Sequence, residues 1–248
     1  MRRPTTAITF LVLLISLAGC ARDSSDQVLV SAAASLTNAF SEIATAYEEA
    51  HAGVDVVLNF AGSSTLREQI LEGAPVDVFA SANQSNMEVI VDGGLQANDP
   101  VIFAENLLQI AVPPGNPAAV SGLEDFAEEG PLFGLCAPEV PCGDFARQAL
   151  ANGGVDPAID TNEPDVRALL TKIEAGELDA GIVYVTDLVS SGGAVEGVAI
   201  PDDLNVIAEY PIVVIEDAPN PDGAVGFVEF VLSDEGRSIL IEHGFAAP

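Results

Sequence analysis

The chain has 248 residues, with 38 Asp and Glu against 8 Lys and Arg, for a formal net charge of −30 at pH 7. Its only lysine is Lys172, which excludes a phosphate-neutralising nucleic-acid surface and a basic membrane-binding face. With 49% hydrophobic and only 19% charged residues, the composition is that of a folded chain with a substantial core, in one large domain or two lobes.

Residues 1–19 have the form of a secretory signal. Arg2 and Arg3 precede an apolar run from Ile8 to Leu17, too short for the ~20 residues of a spanning helix. Leu17-Ala18-Gly19-Cys20 resembles a bacterial lipobox. That resemblance implies cleavage before Cys20 and a diacylglyceryl thioether on its sulfur. The alternative is an ordinary signal peptide that ends in Cys. Residues 20–26 then read as a polar tethering linker. The sequence has no second apolar stretch of spanning length. The expected location is therefore extracytoplasmic, as a lipoprotein on the outer face of the cytoplasmic membrane or in the periplasm. Loss of residues 1–19 removes two bases and no acid, which takes the net charge to −32.

From Val28 onward short apolar runs alternate with helical patterns. Val28–Val30 predicts a strand, and Leu36, Phe40, Ile43 and Tyr47 fall at helical spacing before a turn at His51-Ala52-Gly53. A strand over Val54–Phe60, a helix over Leu66–Leu71, a strand over Val76–Ala80 and a helix over Gln84–Val91 follow. This βαβαβ rhythm predicts parallel sheet with helices on its faces. A second set contains strands at Leu107–Val112 and Leu132–Leu135, helices at Asp144–Asn152 and Asp165–Glu174, and a buried strand at Ala180–Val185. A strand at Tyr210–Ile215 and helices at Asp222–Leu232 and Asp234–Glu242 complete the chain. The expected fold class is α/β in two lobes. Lobe 1 spans 27–105 with 211–248 returning to it, and lobe 2 spans 106–210. Crossings near Glu105–Leu107 and Glu209–Pro211 would form the hinge. Ligands of open α/β sheets bind beyond the carboxyl ends of strands, which directs attention to residues just after each strand.

Cys136 and Cys142 lie six apart around two prolines. Outside the cytoplasm a disulfide is the favoured reading, with a metal pair or two free thiols as alternatives. A metal pair is poorly supported, because the only histidines, His51 and His243, are remote in sequence.

Two hydroxyl-rich segments follow the first two strands: Ser31-Ala32-Ala33-Ala34-Ser35-Leu36-Thr37 and Gly62-Ser63-Ser64-Thr65. Each precedes a helix. Ser35 could be no more than a helix cap, but free N–H groups at paired helix starts also suit an anion. Ala32-Ala33-Ala34-Ser35-Leu36-Thr37-Asn38-Ala39 and Gly62-Ser63-Ser64-Thr65-Leu66, with Gly73-Ala74-Pro75-Val76-Asp77-Val78-Phe79-Ala80-Ser81-Ala82, Pro141-Cys142-Gly143, Asp165-Val166-Arg167, Gly181-Ile182-Val183-Tyr184 and His243-Gly244-Phe245, resemble the periplasmic molybdate-binding proteins of ABC transporters. The likeness covers nearly the whole chain after Gln27. It implies a type II periplasmic-binding-protein architecture: two lobes, each a mixed, mostly parallel sheet flanked by helices, with the ligand cleft between them.

By the same resemblance the ligand is an oxyanion, molybdate and also tungstate, delivered to ABC permease subunits by a monomeric protein with no cofactor. Ser35 and Ser63 would supply hydroxyl and main-chain donors, Cys142 and Val166 their backbone N–H, and Tyr184 its phenolic O–H. Family members often have Ala where Cys142 stands, a change a main-chain contact tolerates. Molybdate at pH 7 is a tetrahedral dianion with no proton, so its site needs donors only. Asp165, beside Val166, is expected to cap its own helix and to face away. Arg67, Arg147 and Arg167 are expected to pair with surrounding acids, and His51 and His243 to be surface or packing residues.

Other function classes fit the residues less well. Sulfate, another tetrahedral oxyanion, is the nearest rival, because only cavity size separates it from molybdate. A metal-cation binder would need clustered Tyr, His or carboxylates at ligand spacing. A serine hydrolase would need a Gly-x-Ser-x-Gly elbow or a triad histidine, and neither is recognisable.

Overall fold

The computed structural model describes residues 27–248. The signal segment, Cys20 and the linker lie outside the described residues. β1 (Gln27–Ala33) sits between β2 (Asp55–Ala61) and β3 (Val78–Ala80), parallel to both. Parallel neighbours need crossovers. α1 (Thr37–Ala50) and α2 (Ser63–Leu71) supply them, and α3 (Gln84–Asp92) follows β3. α1 buries Ala39, Phe40, Ile43, Ala44 and Tyr47, the helical stripe legible in the sequence.

β4 (Val101–Val112) is twice the length of the run expected there. Its first half pairs antiparallel with β9 (Ile207–Val214) over Val101–Leu107. Its second half pairs with β7 (Ala180–Tyr184) and β8 (Glu196–Ala199) over Leu108–Val112. β5 (Phe133–Cys136) lies parallel to β7 and to β6 (Thr161–Glu163). The strand order is β2-β1-β3-β9-β4-β7-β5-β6, with β8 on β4. One long strand therefore joins the two mixed sheets. Its first half is masked in the sequence by Glu105 and Asn106, yet Asn106 is buried.

α4 (Pro141–Asn152), α5 (Val166–Glu174) and the short α6 (Val185–Ser190) cover the second sheet, while α7 (Pro221–Leu232) and α8 (Asp234–Glu242) return to the first. The core has an aromatic centre in each half. Phe40 packs against Phe103 and Phe227 with ring centroids 5.7 and 6.0 Å apart, and Phe126 stacks on Phe133 at 4.6 Å. Each such ring contributes about 1.5–3 kcal/mol by burial. β6, α6 and β8 were not expected from sequence. They are three to six residues long, too short for periodicity to register.

Candidate functional site

The strand ends lead directly into the residues singled out by sequence. β1 ends at Ala33 and runs into a 3-10 turn, Ala34–Leu36, that carries Ser35. β2 ends at Ala61, and Ser63 is the first residue of α2. β5 ends at Cys136, and Cys142 lies in the first turn of α4. β6 ends at Glu163 and Val166 opens α5. Tyr184 is the last residue of β7 and precedes α6. All five are at most 5% exposed.

The turn at Ser35, α2 and α4 start without a side-chain cap. Their first-turn N–H groups have no partner within the helix. α4 begins three residues earlier than expected from sequence. Pro141 takes the first helical position, where its missing N–H costs nothing, and Gly143 packs against the carbonyls of Cys136 and Ala137, where a Cβ has no room. The earlier start makes the Cys142 N–H a helix-terminal donor. The Cys136 and Cys142 sulfurs are bonded, with Cα atoms 5.8 Å apart, so this turn is tied covalently to the end of β5. In α5 the Asp165 carboxylate accepts from the Ala168 N–H at 2.9 Å. It thus caps its own helix, and the first N–H, on Val166, needs no share of it.

These starts come together. A Cβ on Gly62, just before Ser63, would stand 2.7 Å from the Pro164 carbonyl oxygen and 3.3 Å from Val140 Cγ1. The beginnings of α2, α4 and α5 therefore abut. Arg167 Nη2 donates to Asn38 Oδ1 at 2.7 Å, Nη1 to Ser190 Oγ at 2.9 Å, and Nε reaches the Ala34 carbonyl at 3.5 Å. This guanidinium draws the start of α5 against the turn that holds Ser35. The Ser63 hydroxyl oxygen accepts from the Ala82 N–H at 3.0 Å, which leaves its own proton free to donate.

Ser35 does not cap α1. Its Oγ instead meets the Tyr210 hydroxyl at 2.9 Å. Tyr210 was not singled out from sequence, although a buried tyrosine usually has a hydrogen-bond partner for its O–H, and this chain has only three tyrosines. Tyr184 and Tyr210 lie with ring centroids 6.2 Å apart. The Tyr184 Oη is fully buried and makes no hydrogen bond among the described residues. Burial first, then the neighbouring Tyr210 and Asp187, hold its ionisation well above the ordinary 10. Burial likewise pushes Tyr210 up. Both phenols keep their protons and can donate.

Asp187 is a buried carboxylate that sequence reasoning missed. Its Oδ2 accepts the Tyr184 N–H at 2.9 Å, and its Oδ1 lies 4.0 Å from Arg167 Nε. Burial raises its pKa to about 7, partly opposed by the Tyr184 N–H and Arg167. The other arginines make their own contacts. Arg67 holds Asn86 and Glu68. Arg147 departs from the expected pairing with an acid: it donates to the Cys136 and Gly143 carbonyls and to Asn162, and so braces the start of α4. The His51 ring packs, tilted, against Tyr47 with centroids 4.1 Å apart, and His243 meets Glu42 at 2.9 Å. Among the described residues no group of His, Cys, Asp and Glu is arranged to hold a metal ion.

Such an arrangement offers neutral, oriented donors around buried helix starts, which is chemistry for an acceptor-only anion. Comparison with known proteins agrees in kind. The molybdate-binding protein ModA of Mycobacterium tuberculosis (strain H37Rv) is 37% identical over 221 residues, 89% of this chain and 85% of that protein. ModA of Escherichia coli (strain K12) is 35% identical over 252 residues, 94% of each chain. A periplasmic molybdate-binding protein from Azotobacter vinelandii shares the fold, with a TM-score of 0.76 at 19% identity over 89% of this chain and 99% of that one. The family model for bacterial extracellular solute-binding proteins matches residues 28–246. The chain belongs to that family.

Proposed function

We propose that this protein captures molybdate, and tungstate with it, outside the cytoplasm and delivers it to an ABC permease. The observation that carries this reading is the buried, partnerless Tyr184 hydroxyl, together with the abutting starts of α2, α4 and α5, in a chain whose relatives include molybdate-binding proteins. A buried polar group left unpaired costs ~1–3 kcal/mol, so an acceptor in the site relieves a standing penalty. The oxyanion is held by the Ser35 and Ser63 hydroxyls and main chain, by the backbone N–H of Cys142 and Val166, and by the Tyr184 O–H. Hydrogen bonds to a charged acceptor contribute ~1.5–3 kcal/mol each, so five or more reach tight binding without a lysine or arginine.

Residues 27–105 with 211–248 act as one lobe and 106–210 as the other, turning about β4 and β9 and closing over the ligand. Cys20 carries the lipid that tethers a monomer to the membrane. The protein has no catalytic role. In support, each histidine has its own partner away from Ser35 and Ser63.

Calorimetric titration with molybdate, tungstate, sulfate and phosphate tests the reading. Tight binding of molybdate and tungstate with weak binding of the others is the expected result. No heat with molybdate, or equal affinity for sulfate, overturns it. Ser63→Ala and Tyr184→Phe should each weaken binding about 10- to 100-fold, and Arg67→Ala should leave it unchanged.

A further inference from the structure

The Ser35–Tyr210 contact extends into a chain of groups that the ligand set does not use. Tyr210 lies on β9 with its ring wedged among Phe103, Tyr184 and Phe245, at centroid distances of 6.3, 6.2 and 5.3 Å. Its hydroxyl is 3.5 Å from Asn106 Nδ2, on β4. The Asn106 amide has a fixed orientation, because its Oδ1 accepts the Leu107 N–H at 3.0 Å. Nδ2 is then a donor only. It gives one proton to Thr186 Oγ1 at 2.8 Å and directs the other at the Tyr210 oxygen. With its oxygen accepting from Asn106, Tyr210 points its own proton at Ser35 Oγ. A phenol is also the stronger donor of the two hydroxyls. This arrangement favours Ser35 as the acceptor from Tyr210, which leaves the serine's own proton to turn toward the site.

We infer that Tyr210, held by Asn106, is a positioning residue that locks Ser35 as a hydrogen-bond donor and thereby sets the site against protonated oxyanions. The inference rests on the oxyanion reading above. Molybdate and sulfate present acceptors alone. Hydrogenphosphate, the dianion of phosphate near pH 7, carries one O–H that needs an acceptor. A serine free to rotate can accept that proton, whereas a serine already accepting from a phenol is poorly placed to do so. An O–H with no acceptor in a buried site is heavily penalised. Donation from Tyr210 also polarises the Ser35 hydroxyl, which strengthens its bond to the oxyanion. Asn106 and Tyr210 sit on the two strands that run between the lobes, so Ser35 is oriented from the hinge itself.

The experiment compares wild type, Tyr210→Phe, Ser35→Ala and the double variant, each titrated with molybdate, sulfate and phosphate at pH 7. Phe keeps the ring packing, and thermal unfolding of the ligand-free proteins checks that the fold is retained. Tyr210→Phe should weaken molybdate binding about 10-fold and narrow the preference for molybdate over phosphate by a similar factor. In the Ser35→Ala background the same change should do nothing further. A purely structural tyrosine would weaken all three anions alike and add its loss to that of Ser35→Ala. Either of those outcomes, or wild-type behaviour of Tyr210→Phe, overturns the inference. If wild type prefers sulfate, the molybdate reading falls, and the lock is judged instead on the sulfate-to-phosphate ratio. If wild type binds none of the anions, both fall.

Discussion

Gly62→Ala separates closure of the lobes from the chemistry of the donors. Gly62 has φ −59° and ψ 138°, a conformation that alanine adopts freely. The change therefore adds no backbone strain, removes no donor and reduces the entropy of the unfolded chain, an effect of ~0.4–1 kcal/mol. Its whole cost lies across the cleft, where the new methyl would stand 2.7 Å from the Pro164 carbonyl oxygen and 3.3 Å from Val140 Cγ1. The first of these is backbone at the start of α5 and has no rotamer with which to yield. Relief requires the two sides to part by roughly half an ångström or more, a gap that already forfeits a quarter to a half of a dispersion contact. The same parting takes hydrogen bonds near 2.9 Å toward the limit at which they fail. Ser35 and Ser63 are on one side of this contact, and Cys142, Val166 and Tyr184 on the other. An oxyanion cannot keep both sets at full strength, and the equivalent of one or two charge-assisted bonds is lost, about 2–4 kcal/mol. Calorimetry should therefore show molybdate affinity reduced roughly 30- to 1,000-fold. The ligand-free protein should melt within about 4 °C of wild type. Affinity within threefold of wild type would refute the argument that the abutting helix starts define the binding-competent state.

Three further outcomes follow from other parts of the molecule. Asp187 is raised from 3.8 to about 7 by burial, so between those values the folded chain holds a proton that the unfolded chain releases. Stability then falls as pH rises from 4 to 7, by at most about 1.4 kcal/mol per unit. Asp187→Asn keeps an acceptor for the Tyr184 N–H and should flatten that slope relative to wild type in thermal melts from pH 4 to 7.5; parallel slopes would refute the assignment. Opening the Cys136–Cys142 bridge, which joins residues six apart, should cost about 2 kcal/mol in chemical denaturation, and it should also weaken molybdate binding, because the bridge holds the first turn of α4. Raising the salt concentration should speed molybdate association, since the −30 chain repels a dianion at long range; a salt-slowed on-rate in stopped flow would reveal an attractive local field.

What the sequence made legible was set by periodicity. α1 and α8 could be read because their apolar positions recur over nine or more residues. Ser35, Ser63, Cys142, Val166 and Tyr184 are candidates that resemblance and the rule that ligands gather beyond strand ends single out. Periodicity says nothing of a buried polar network. Asn106, Thr186, Asp187 and Tyr210 are each unremarkable in sequence, and Asn106 meets Thr186 and Tyr210 because β4 is long enough to bring it beside α6 and β9. The earlier start of α4 was hidden for a related reason. Pro141 and Gly143 look like a loop locally, and it is the packing of Gly143 on the Cys136 and Ala137 carbonyls that makes them a helix start.

The acid surplus, which invites a cationic ligand at first reading, acts on the site mainly as a screened long-range field. Near 0.15 M ionic strength the field of an exposed charge decays over about 8 Å. Among the charges close to the site, Arg167 stands 4.0 Å from Asp187, whose carboxyl burial keeps partly protonated near neutral pH, and the Asp165 carboxylate is engaged as the cap of α5. In the proposed ligand set the groups that face the anion are hydroxyls, one phenol and backbone N–H, which carry direction and no net charge. A lysine would attract any anion and say little about its shape. Oriented neutral donors hold only an anion whose acceptors fall where the donors point, and they exclude one that carries a proton of its own. A chain with 38 acids can therefore select a dianion, because selectivity resides in donor geometry and most of the acids lie outside the buried core.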